Sequence, residues 1–129
     1  MKLVRTIARY LLGLLLTVFG FNGFLHFIPL PPPSNPLALE NMTVMTVTHY
    51  FVLIFFIEAL SGILLLGNRF VPLALTLLAP VLVNILLFHS LMDPAGALPG
   101  AFSSILLVLV YWSVGSSFRG IFQPKPVAE

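Results

Sequence analysis

Cysteine is absent from this 129-residue chain, and only 8% of its residues carry charge. Without a thiol the chain forms no disulfide, offers no thiolate metal ligand and runs no dithiol exchange of its own, so any redox chemistry requires a bound cofactor or a partner. So few charges cannot cover a water-facing exterior when 59% of the residues are hydrophobic and the mean hydropathy is +1.08, which excludes a soluble globular domain. Nucleic acid is excluded as a partner as well. The pI of 9.4 rests on six Lys and Arg, too few and too scattered along the chain to make a basic stripe.

What the chain does contain is long apolar segments. Four stand out, at about Ile7 to Ile28, Val47 to Leu66, Phe70 to Ser90 and Pro99 to Phe118. Each is close to the roughly 20 residues that cross a hydrocarbon core about 30 Å thick. The expected architecture is a single all-α domain over residues 1–129, an antiparallel four-helix transmembrane bundle. The basic N-terminus before an apolar run has the look of a signal peptide, but the run is too long and lacks a small-residue cleavage site, so it is expected to be a retained helix.

With four crossings, all six basic residues fall on one side: Lys2, Arg5 and Arg9, then Arg69, then Arg119 and Lys125. The opposite loops hold Glu40 and Asp93 and no Lys or Arg. The positive-inside rule then predicts both termini in the cytoplasm of a multi-pass protein of the bacterial inner membrane. Gly67-Asn68-Arg69 is expected to join spans two and three as a tight hairpin, with Gly67 stopping one helix, Asn68 capping the next and Pro72 in its first turn. Pro29, Pro31, Pro32, Pro33 and Pro36 forbid a continuing helix. Ser34 or Asn35 as cap, with Pro36 following, predicts a short interfacial helix over Leu37 to Met45 in the first outer loop.

The candidate chemistry lies in the few polar residues inside these spans. Counting 1.5 Å per residue from Arg9 or Arg69 puts Glu58 at ~16 Å, Asn22 at ~20 Å, Asn84 at ~22 Å, His26 at ~26 Å and His49 and His89 at ~30 Å. On span one, Asn22 and His26 share a stripe, while Gly13, Thr17 and Gly20 form a small-residue stripe suited to close packing. On span two, Glu58 shares a face with Gly62, and His49 falls opposite it. On span three, Asn84 shares a face with Pro80, and His89 lies one turn from Asp93 as a second, outer imidazole/carboxylate pair. A carboxylate at mid-membrane costs several kcal/mol unless paired, solvated or neutralised, which makes Glu58 the foremost candidate for proton exchange. Asn22, His26, Glu58 and Asn84 are therefore expected to line one ligand-binding pocket in the outer half, with Glu58 as its catalytic group. Interhelical hydrogen bonding is the competing role for Asn22 and Asn84. A metal site is disfavoured because only His26 shares the inferred face with Glu58. The rings of Tyr111 and Trp112 on span four are expected to face lipid. Span one ends in Asn22, His26 and Pro29, and span three in Asn84, His89 and Pro94, a faint internal echo.

Three segments, FGFNGFLHFIPLPPP (Phe19 to Pro33), EALSGILLLGNRFVPLAL (Glu58 to Leu75) and APVLVNILLFHSLMDPAG (Ala79 to Gly96), resemble the DoxX-like family of small four-helix bacterial membrane proteins. That family takes its name from a subunit linked to thiosulfate:quinone oxidoreduction, and some of its members are associated with membrane oxidoreductase complexes. The resemblance implies a four-helix fold and a redox-associated subunit that binds a quinone-like or other small amphipathic ligand, beside a membrane oxidoreductase as partner. Two further functions fit the same polar ladder. One is a small proton-coupled transporter, which at this size would act as a homo-oligomer. The other is a non-enzymatic assembly or anchoring subunit.

Overall fold

The fold is described from a computed structural model covering residues 1–128. It is all-helical, with no strand among the described residues. Helix α1 spans Lys2–Leu25, α2 Pro36–Val47, α3 Tyr50–Leu66, α4 Val71–Leu91 and α5 Ala97–Val114. Short 3-10 turns at Pro94–Gly96 and Gly115–Phe122 flank α5. Three stretches are long and apolar enough to cross a membrane: α1, α4, and α5 with its flanking turns. A fourth results if α2 and α3, which meet at 85°, are taken as one broken span. This is the make-up of a membrane protein.

Each helix has a visible local cause. Helix α1 starts at Lys2, ahead of the apolar run, because Lys, Leu and Arg are all good helix formers, and it ends where His26 turns into the left-handed region at φ 53°. Asn35 caps α2 by accepting a hydrogen bond from the Leu37 N–H at 2.9 Å, and Pro36 occupies the first turn, where a missing N–H costs nothing. Helix α2 runs on to Val47, and the chain then breaks at His49, also left-handed at φ 59°. Second-span residues thus begin helically at Tyr50 rather than Val47, leaving 17 residues, or roughly 25 Å at 1.5 Å per residue.

The link between α3 and α4 follows expectation at Gly67, which ends α3, and at Pro72 in the first turn of α4, and departs from it at Asn68. Gly67 stays in the right-handed region, and Asn68 takes the left-handed one at φ 52°, a conformation Asn tolerates better than most residues. The residue before α4 is Phe70, also at φ 52°, and no side chain caps that helix.

Helices α1, α3, α4 and α5 pack in that order as a ring, with α1 against α3 the most extensive interface. The small-residue stripe explains that closeness. A Cβ on Gly62 would come within 2.6 Å of the Thr17 nitrogen and 2.8 Å of the Gly13 oxygen, and one on Gly20 within 2.5 Å of the Ala59 nitrogen. Only bare glycine lets these backbones approach so near. Partners fall along α3 as numbers rise along α1: Gly13 with Leu66, Thr17 with Gly62, Gly20 with Ala59 and Gly23 with Phe55. The apolar core joins all four helices through residues such as Leu12, Leu16, Leu65, Leu75, Leu78, Leu106 and Val110. Phe118, in the turn after α5, folds back onto this core, its ring 5.0 Å from that of Tyr111. Trp112 is exposed.

Candidate functional site

Four polar residues are buried among the described residues: Asn22, Glu58, Ser61 and Ser103. They differ in whether the chain itself satisfies them. Asn22, 5% exposed, closes the corner after α1. Its Oδ1 accepts from the Ile28 N–H at 2.6 Å and its Nδ2 donates to the Ile28 carbonyl at 3.2 Å. The amide thereby takes the place of a strand partner for a residue that has left the helix. His26 supplies the left-handed turn of that corner, and its side chain is exposed.

Glu58, 6% exposed, is the opposite case. Phe55, Ala59, Gly62 and Leu66 make the α1-facing stripe of α3. Glu58, Ser61 and Leu65 form the adjoining stripe at a spacing of one helical turn, and Leu65 belongs to the core, so this stripe faces the bundle interior. Among the described residues neither a cation nor a hydrogen-bond donor meets the Glu58 carboxyl. One turn on, Ser61 is fully buried and its hydroxyl has no partner. Several other helix hydroxyls donate back to their own helix, as Thr17 does to Gly13, Thr76 to Pro72 and Ser104 to Gly100. Ser61 does not. Two adjacent polar side chains therefore stand in an apolar interior with their hydrogen-bonding capacity unused, a costly arrangement that a bound polar group would relieve.

The other expected site residues lie apart from this pair. Asn84 is exposed, and its Nδ2 donates to the Pro80 carbonyl of its own helix at 2.9 Å. The buried residues of α4, such as Ala74, Leu78 and Val81, define a face from which Asn84 is turned by roughly 120°, so the ring's interior is not where it points. His89 and Asp93 are brought together. The ring Nδ1 lies 2.9 Å from the Asp93 carbonyl and 3.5 Å from its carboxylate, and Gly96 packs so tightly over both that a Cβ there would come within 2.6 Å of the imidazole. His49 is an exposed hinge residue. The four residues expected around one pocket thus divide: Asn22 and Glu58 are buried at adjoining depths, while His26 and Asn84 face outward. Ser61 escaped the sequence reading, although its spacing of three from Glu58 was the available signal.

Comparison with protein-family models, with curated proteins and with solved structures gives no match to this chain. The candidate site therefore stands on its own geometry.

Proposed function

We propose that this chain is a redox-associated protein of the bacterial inner membrane, DoxX-like in kind, whose functional group is Glu58 supported by Ser61. Its helices form an antiparallel four-helix bundle with both termini in the cytoplasm, a reading supported by the six basic residues that the connectivity gathers on one side. The ligand is a quinone-like or other small amphipathic molecule carrying a carbonyl or hydroxyl oxygen. Ser61 donates a hydrogen bond to that oxygen, and Glu58 accepts or returns the proton that accompanies electron transfer. Electrons pass between the ligand and a membrane oxidoreductase partner, which supplies two when a quinone is reduced to the quinol and takes two when the quinol is oxidised, since the chain has no cysteine to exchange them. The observation that carries the reading is Ser61, fully buried with no partner for its hydroxyl, one turn from the buried Glu58 carboxyl, which no ion pair meets among the described residues.

The test is the quinone content of protein purified in mild detergent, alongside the redox activity of the membranes it came from. Wild type is expected to carry quinone, and Glu58→Gln to lose both the quinone and the activity. A wild type with no quinone that binds none on addition would sink this function.

A second reading has an observation of its own. Asn22, Asn84 and His89 all direct their polar atoms at the chain's own backbone, as they would in an assembly or anchoring subunit. Under that reading, loss of the chain dissociates a membrane complex while Glu58→Gln leaves it intact.

A further inference from the structure

The end of the bundle away from Ile28 and Asp93 carries a second feature, a cleft of about 320 Å³ lined by Lys2, Arg5, Thr6 and Arg9 of α1, by Asn68 in the link between α3 and α4, by Val71 at the start of α4, and by the end of α5. We propose that this cleft binds the phosphate of an anionic phospholipid headgroup.

The argument begins with which way the cations point. At roughly 100° per residue, Lys2, Arg5 and Arg9 fall on the same side of α1 as Leu12, Leu16 and Gly20, which are buried in the bundle. Three positive side chains thus continue a core-facing stripe over the bundle's end instead of spreading over the outer surface. Among the described residues no carboxylate answers them: the one ion pair there is His89 with Asp93, and Glu40 and Glu58 sit on α2 and in mid-α3. Arg9 already donates to the carbonyls of Leu65 and Leu66, covering the negative end of α3. The start of α4 has no side-chain cap, so its first N–H groups add to the positive potential in the same cleft. A site built this way calls for an anion with several acceptor oxygens.

Its surroundings identify the source of that anion as a lipid. Tyr10 and Trp112 are exposed beside the cleft, with the Arg9 guanidinium 4.3 Å from the centre of the Tyr10 ring, and such amphipathic rings sit at headgroup level. On the flank of α1, Leu3, Val4, Ile7 and Leu11 are exposed for an acyl chain to cover. Basic recesses between helix ends at this level suit phosphate headgroups.

The test uses the full-length protein in detergent, with native mass spectrometry and thermal unfolding as readouts. Phosphatidylglycerol is expected to bind and raise the melting temperature, and phosphatidylcholine to do neither. In Lys2→Gln/Arg5→Gln, which alters two exposed side chains and spares the α3 cap, phosphatidylglycerol affinity is expected to fall about 30-fold, from the loss of two basic residues at a membrane surface. Arg69→Gln/Lys125→Gln removes the same net charge outside the cleft and is expected to keep most of the affinity. Equal losses in the two double variants, or equal binding of phosphatidylcholine, overturn the proposal. So does stabilisation by inorganic phosphate alone equal to that by the lipid, which would make the cleft a site for small anions.

Discussion

Asn22 and Glu58 sit at adjoining depths on the two most extensively packed helices, each more than nine-tenths buried, and they behave as opposites. The Asn22 amide is satisfied at both ends by the Ile28 backbone, so it holds a corner in place. The Glu58 carboxyl has no donor among the described residues, and Ser61 beside it has no partner either. The difference teaches that a polar residue in an apolar helix is not marked for chemistry by its type. What marks it is whether the chain's own backbone already satisfies it.

Substitutions can break or sharpen that contrast. The largest effect is expected where both residues owe their burial, at the α1–α3 contact. Gly62→Leu drives a side chain into the Thr17 and Gly13 backbones, and overpacking of this kind is expected to cost about 3 kcal/mol or more, seen as lost folded protein in a detergent unfolding series. Gly67→Ala serves as its control, since the nearest atom to the added Cβ is 3.4 Å away.

Next comes Asn22→Ala, which strips two hydrogen bonds from Ile28 and leaves its N–H and carbonyl unsatisfied. A loss of about 2 kcal/mol is expected in the same series, with ligand affinity changed little. Glu58→Leu should move stability the other way, by about 1–3 kcal/mol, because an unpartnered carboxyl gives way to an apolar side chain while ligand binding is abolished. A destabilised Glu58→Leu would mean that Glu58 is satisfied structurally, and the contrast with Asn22 would collapse. The smallest effect belongs to Asn84→Ala. An exposed amide bonded only to Pro80 of its own helix is expected to contribute about 0.6 kcal/mol or less.

Much of the fold was legible because it rests on local chemistry. Hydropathy marked the long helices, the proline run ended α1, and Asn35 with Pro36 announced α2. The glycine and threonine of α1 announced a close contact, and only its partners, Gly62 and Ala59, had to come from the structure. What escaped was set by tertiary placement. Asn22 reaches six residues ahead to a backbone that has left the helix, and no periodicity encodes that return. No glycine or proline stands beside His49 to flag a left-handed residue, and Pro72 marks the first turn of α4 without marking Phe70 before it, so the break before α3 and the uncapped start of α4 were hidden. Asn68 could serve as a cap or as a left-handed residue, and the short link selected the second role. Ser61 is an ordinary helix residue until the ring of four helices encloses it. Pro80 and Asn84 share a face as the spacing requires, but that face is turned outward, a choice made by packing and invisible in the α4 sequence alone.

The most direct measurement of the central claim is an infrared difference spectrum of the purified protein, recorded on adding a short-chain quinone analogue to wild type, Glu58→Gln and Ser61→Ala. The account predicts a shift in a carboxyl band in wild type, its absence in Glu58→Gln and its weakening in Ser61→Ala. A ligand that binds with the carboxyl bands of wild type unmoved would contradict it.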